Sequence, residues 1–279
     1  MTDHGRRRLL GLAGAGVAGA AIGATTAGAA VAATADGGDD AAAQEAREAT
    51  WTTDRPLGVR RVWWSVPTSA PLLSLTFDDG PDPLFTPRIL DALRDADARA
   101  TFFMMGAMLE RHPDLGRRVV DEGHEVGNHT WSHENLAFQD EPGIREQLER
   151  CHEVLTGTLG VTPTWFRPPR GALPGAALRI AAELGYDTAI WSVSRTLSEV
   201  GTPQRITEQL AEGLEPGAIV DLHDSIGRGN FMLPFSGLRD ELAAKREVEV
   251  VGLPDVLAAA ARSGLRSVTL SELVRSSQA

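Results

Sequence analysis

The sequence predicts an α/β fold in which parallel strands are joined by crossover helices. Short apolar runs and longer amphipathic stretches alternate about seven times along the chain, the rhythm that βα units impose. The runs read as apolar without a polar alternation, as strands buried on both faces do. The 279-residue length suits one such unit, since barrels of this kind often run to about 250 residues. On pattern alone, a barrel and an open doubly wound sheet both remain.

Residues 1–35 hold Arg6, Arg7 and Arg8, then a weakly apolar Ala/Gly stretch, then the small residues Ala33-Thr34-Ala35. Charged, apolar and small regions in that order make an export signal. The paired arginines before Leu9 and Leu10 are similar to a twin-arginine signal, which implies an extracellular or cell-wall location. Gly and Ala contribute little to membrane insertion, so no stable span is expected after signal removal. Residues 36–61 are rich in Asp, Ala, Glu and Thr and read as a linker or N-terminal arm. The folded domain is expected over 62–279.

Within it, Leu72–Phe77 is a strand stopped by Asp78-Asp79-Gly80-Pro81. Ile89, Leu90 and Leu93 share one face of a helix. Further strands are expected at 100–105, 124–127, 164–166, 188–191, 218–222 and 266–269. Helices are expected at 109–120, 144–159, 176–184, 206–214 and 254–262, the last beginning at Pro254.

Hydrophobic residues make up 42% of the chain and charged residues 23%, ordinary for a protein with a sizeable core. The formal net charge of −11 argues against nucleic acid, whose phosphates call for basic patches. With one cysteine, Cys151, the chain forms no intramolecular disulfide and no Cys-rich zinc site. Any metal must be held by His and carboxylate.

The polar residues that draw notice stand where strands end, the edge at which parallel α/β folds build their sites. Asp78 and Asp79 follow the first strand, His129 and His133 the third, Arg167 the fourth and His223 the sixth. The His129-x-x-x-His133 spacing lets two imidazoles face one metal, most easily on a helical turn. One carboxylate of Asp78-Asp79 completes a three-ligand set with positions open for water and substrate. The other is left free as a base, because neighbours on an extended chain point opposite ways. His124 reads as a packed, hydrogen-bonded residue, and His4, His112 and His152 as solvated. Met104, Met105 and Met108 read as core filler. Trp131, Trp165 and Trp191 read mostly as core, with those beside the site able to stack on a sugar.

In order along the chain, Thr76-Phe77-Asp78-Asp79-Gly80-Pro81, His129-Thr130-Trp131-Ser132-His133, Arg167-Pro168-Pro169-Arg170-Gly171 and Leu222-His223-Asp224 resemble four of the five motifs of the polysaccharide deacetylases (the NodB-homology domain, carbohydrate esterase family 4). The resemblance covers roughly residues 70–275 and identifies 62–279 as the catalytic domain. It implies a distorted (β/α) barrel of about seven parallel strands with outer helices. It implies one divalent metal, commonly zinc, with cobalt or another divalent ion as substitutes, on Asp79, His129 and His133. Asp78 would be the base, oriented by Arg167, and His223 the acid that protonates the leaving amine. Arg170, Leu222 and Trp131 would meet the oxyanion or the substrate, Arg170 through its backbone N–H. The expected partner is an acetylated carbohydrate polymer or oligomer, N- or O-acetylated. The alternative is a non-catalytic carbohydrate-binding derivative.

Two departures stand out. Arg170 replaces the usual Tyr. The fifth motif, which should place an Asp near Ser194 or Leu197, reads Ser192-Val193-Ser194-Arg195-Thr196-Leu197-Ser198. Without that carboxylate His223 is expected to be protonated less readily, with Asp224, or failing it Asp221, as substitute partner.

Overall fold

Leu72–Asp78 shows how the sequence makes the sheet. Leu73, Leu75 and Phe77 enter the main core, while Ser74, Thr76 and Asp78 point to the other face. This is a two-residue period, so the strand alternates after all. Both faces are buried, and the inner one is polar because it carries a site.

In the computed structural model of the chain, residues 60–195, 200–231 and 236–278 are described. The expected signal (1–35), nearly all of the expected arm (36–61) and Leu197 lie outside them.

The strands are β1 (Val62–Trp63), β2 (Leu72–Asp78), β3 (Ala100–Met104), β4 (Glu125–Asn128), β5 (Trp165–Phe166), β6 (Asp187–Ala189), β7 (Val193–Ser194), β8 (Ile219–His223) and β9 (Arg266–Ser267). They pair in the order β1-β6-β5-β4-β3-β2-β8-β7, with β9 also on β2. Every ladder is parallel. An isolated antiparallel bridge from Ser65 to Ala218 ties the chain after β1 to the start of β8. The result is a curled sheet of the distorted-barrel kind. The count exceeds the expected seven by β1 and β7, two-residue strands too short to leave a pattern.

The helices are α1 (Thr86–Asp95), α2 (Gly106–Arg111), α3 (Pro113–Asp121), α4 (Glu141–Leu159), α5 (Gly175–Glu183), α6 (Pro203–Ala211), α7 (Gly237–Arg262) and α8 (Leu270–Ser276). Local signals fix several starts. Asp140, Thr202 and Ser236 each accept a bond from a backbone N–H three residues on, and Thr269 with Glu272 forms a capping box. The single helix expected over 109–120 is two. Pro113 disfavours helical backbone at the residue before it, and His112 sits at φ −131° between α2 and α3. The helix expected to begin at Pro254 instead begins at Gly237 and runs through that proline.

The main core packs α1 and α7 against β2, β3 and β8. A second cluster, with Trp63, Phe103, Trp165 and Ile219, fills the inner side and is closed by Leu270 and Leu273 of α8. A third lies under α4 and α5 around Phe166 and Tyr186. Met104, Met105 and Met108 are buried. His124 accepts the Ala100 N–H at 3.2 Å. His152 is not simply solvated: its Nδ1 lies 2.6 Å from the Tyr186 hydroxyl. Among the described residues no helix is long and apolar enough to cross a membrane.

Candidate metal centre

The polar face of β2 ends at Asp78. Strand register sets Asp78 beside His223 and Thr76 beside Asp221 on β8, with neighbouring strands about 4.8 Å apart. Two motifs some 145 residues apart in sequence thus meet by register alone.

Arg167, one residue beyond β5, completes this row. Its Nη1 donates to Thr76 Oγ1 at 2.7 Å and to Asp78 Oδ1 at 2.8 Å. Nε and Nη2 donate to the carbonyls of Ala189 and Ile190 at 3.2 and 2.8 Å. The guanidinium lies 4.1 Å from the Phe103 ring centroid and is fully buried. A planar fork used in every direction holds its carboxylate in one orientation. Asp78 Oδ2 is left facing His129 Nε2 at 3.5 Å.

Asp79 does not point away from this row, as an extended chain would require. Its φ is +84°, so the backbone turns out of the strand and both carboxylates line one cleft. His129 and His133 likewise sit on a loop rather than a helical turn. Thr130 and His133 have φ of +70° and +57°. Asn128 Oδ1 accepts from the Thr130 N–H at 2.8 Å, and Thr130 Oγ1 from the His133 N–H at 3.2 Å. Among the described residues five non-glycine positions have positive φ, and four of them, Asp79, Thr130, His133 and Arg170, are in this site or at its rim. Such strain persists only where surrounding contacts fix it.

The ligand atoms of Asp79, His129 and His133 all lie within 4.8 Å of one another. Asp79 Oδ1 is 3.3 Å from His133 Nε2 and 3.7 Å from His129 Nε2. His129 Nδ1 lies 2.8 Å from the Arg167 carbonyl. A carbonyl only accepts, so Nδ1 carries the hydrogen and Nε2 is the nitrogen turned to the site, the usual support for a metal-bound imidazole. Burial pushes His133 down to about 4, keeping it neutral as a ligand must be. Burial works to raise Asp79, but His133, His223, His129 and Arg246 outweigh it and hold the carboxyl below its usual range. Asp79 Oδ1 is buried without a hydrogen-bond donor. A charged oxygen in that position, facing two imidazole nitrogens, fits a divalent cation.

The cleft over this cluster has a volume of about 720 Å³, and Arg170, Trp191, Arg228 and Phe231 are among its lining residues. Two expected substrate residues lie elsewhere. Leu222 packs in the main core, because it alternates with Asp221 and His223 on β8. Trp131 is covered by the Arg150 guanidinium, 3.5 Å from its ring centroid; Trp191 is the tryptophan at the cleft. Arg170 stands exposed at the rim with φ +62°.

Asp224 is not the partner of His223. Its Oδ2 accepts from Thr86 Oγ1 at 2.6 Å, and burial raises it to about 7. Nor is His223 poorly protonated. Burial and Arg246 lower its pKa, but the carboxylates of Asp221 and Glu249 prevail and raise it to about 9. The sequence reading missed Glu249 and Arg246 of α7, because charges on a helix read as its solvated face. It also missed Gly227, whose glycine-flanked Gly227-Arg228-Gly229 offered a signal.

At Gly227, φ is +57° and an added Cβ would meet the Asp79 carboxylate at 2.7 to 2.9 Å. Gly227→Ala is therefore expected to displace Asp79 and weaken divalent-metal affinity about 10- to 100-fold, the scale for disturbing a ligand's support. Zinc titration checks this; unchanged affinity would show that Asp79 does not bind the ion.

Comparison with known proteins agrees with the geometry. The profile of the family described as "Polysaccharide deacetylase" matches residues 65–189. A peptidoglycan-N-acetylglucosamine deacetylase of Bacillus cereus is 36% identical over 221 residues, covering 77% of this chain and 93% of that protein. A chitooligosaccharide deacetylase of Sinorhizobium fredii is 35% identical over 179 residues, covering 63% and 83%. Among solved structures, a peptidoglycan N-acetylglucosamine deacetylase bound to an N-oxidanyl-benzamide aligns with a TM-score of 0.68 and 31% identity, over 77% of this chain and 94% of that one. A carbohydrate esterase family 4 pseudoenzyme from Bacillus anthracis, 22% identical with a TM-score of 0.67 over 78% and 70%, shares the fold.

Proposed function

Since the chain belongs to the polysaccharide deacetylase family, we propose that it is a metal-dependent deacetylase of N-acetylglucosamine residues in a cell-wall carbohydrate. The observation that carries this reading is the convergence of Asp79, His129 and His133 beside a second carboxylate, Asp78, held by a buried arginine. A binding derivative of the fold has no use for that second carboxylate, so its retention favours catalysis.

A divalent ion on these three residues would supply Lewis-acid polarisation of the acetyl carbonyl and acidify a water molecule beside it. Asp78, tied through Oδ1, takes the proton of the attacking water at Oδ2. His223 stands next to Asp78 on β8 and delivers a proton to the departing amine. Its neighbours Asp221 and Glu249 favour the charged ring, and an amine needs that proton to leave. The backbone N–H of Arg170 is the proposed donor to the oxyanion. Both the peptidoglycan and the chitooligosaccharide relatives act on acetylated amino sugars, which supports an amide substrate. The charged, apolar and small regions of residues 1–35 support an exported protein working outside the cytoplasm.

The zinc-loaded protein is expected to release acetate from peptidoglycan and from N-acetylglucosamine oligomers faster than from acetylated xylan. Acetate quantitation over these three checks it. Release from xylan alone would overturn the amide reading, and release from none would favour the binding derivative.

A further inference from the structure

α7 crosses the outer end of β8 and turns an unusual set of side chains inward. Arg246 and Glu249, one helical turn apart, are buried, and so is Arg195 just after β7. Arg195 Nε lies 2.6 Å from Glu249 Oε1, and Arg246 Nη1 donates to the same oxygen at 3.0 Å. Both guanidiniums are themselves anchored. Arg195 Nη1 donates to the Val200 carbonyl at 3.1 Å, and Arg246 Nε to the Ser225 carbonyl at 2.6 Å.

The two oxygens of Glu249 divide their work. Oε1 takes both cations. Oε2 accepts the backbone N–H of His223 at 2.8 Å and lies 3.5 Å from His223 Nδ1, a nitrogen that is buried without a hydrogen-bond partner. A carboxylate needed only to neutralise two arginines would not have to grip the main chain of β8 as well. Of the other acids near the ring, Asp224 is held by Thr86, and Asp221, whose Oδ1 makes no hydrogen bond, lies 3.6 Å from Arg167 Nη1 and adds its charge beside the ring.

We propose that Glu249 is the positioning carboxylate of His223: clamped by Arg195 and Arg246 through one oxygen, it holds the backbone and Nδ1 edge of His223 with the other, leaving Nε2 for the substrate's leaving group. This rests on the reading of His223 as the acid. A fixed carboxylate at Nδ1 selects one tautomer and one ring orientation, and misorientation of such a ring is costly to turnover. The arrangement accounts for Arg195 standing in the stretch where a carboxylate was expected. The negative charge comes from the helix, and Arg195 fastens it in place.

The test uses the full-length, zinc-loaded protein and two variants, Glu249→Gln and the charge-balanced Arg195→Gln/Glu249→Gln. Removing the charge alone strands two buried cations, so the double variant guards against loss of folding. The substrates are an N-acetylglucosamine oligomer and 4-nitrophenyl acetate, whose 4-nitrophenolate leaves without a proton. In both variants kcat on the amide is expected to fall about 10- to 100-fold, with KM and ester turnover within about twofold. ¹⁵N NMR, recorded at a pH high enough for the ring to be neutral, should show His223 losing its single Nδ1–H tautomer. Glu249→Asp, which keeps the charge on a shorter arm, should recover part of the amide rate. Equal loss on both substrates, or an unchanged amide kcat with the tautomer retained, would overturn the proposal. Wild-type protein that cleaves no amide, yet loses the tautomer on Glu249→Gln, would sink the deacetylase reading and leave the positioning intact.

Discussion

Replacing His129 by Ala is expected to abolish stoichiometric binding of a divalent ion and acetate release together. His129 is 1% exposed, and its ring is locked by the Arg167 carbonyl, with Nε2 turned toward Asp79 and Asp78. Nothing else on that loop can replace the nitrogen, since Thr130 supports the backbone of His133 and Trp131 packs under Arg150. Disturbing the support of a metal ligand costs about 10- to 100-fold in affinity; removing the ligand itself should cost more. Metal analysis of the purified variant, with thermal unfolding to confirm that it folds, checks the expectation. Full occupancy in His129→Ala would remove His129 from the ligand set.

The second large effect concerns Asp78. Asp78→Asn preserves shape and an oxygen for the Arg167 bond, and Asp221 remains 3.6 Å from the same guanidinium nitrogen. The protein should therefore fold and keep its metal. What it loses is a group able to take a proton, so kcat should fall by at least about 100-fold, the lower end for a general base. Near-native turnover would mean that another residue takes the proton, and the register pairing of Asp78 with His223 would then be structural only.

Much of this site could be read in the sequence because its residues sit at strand ends, where a turn signal such as Asp78-Asp79-Gly80-Pro81 marks both the element and the edge it faces. His223 was placed the same way. The polar inner face of β2 is not legible in the same way: Ser74 and Thr76 line it, but they sit in a run that reads as apolar without alternation. Other features could not be read. The left-handed backbone at Asp79, Thr130 and His133 has no sequence signature, so the ligand loop looked helical and the two aspartates looked opposed. Leu222 and Trp131 follow motif proximity rather than direction; the side chains that reach the cleft are those with the right alternation. α7 was hardest, because Pro254 mimics a helix start and the charges of Lys245, Arg246 and Glu249 mimic a wet surface. Arg246 and Glu249 are buried because they pack against the site, and only tertiary contacts reveal that.

The central claim is that hydrolysis depends on an ion held by Asp79, His129 and His133. It is tested most directly by acetate release from an N-acetylglucosamine oligomer, measured as zinc is first stripped with a chelator and then restored in steps. The account predicts that activity vanishes with the metal and returns in proportion to it, reaching a plateau at one ion per chain. Undiminished acetate release from metal-free protein would contradict it.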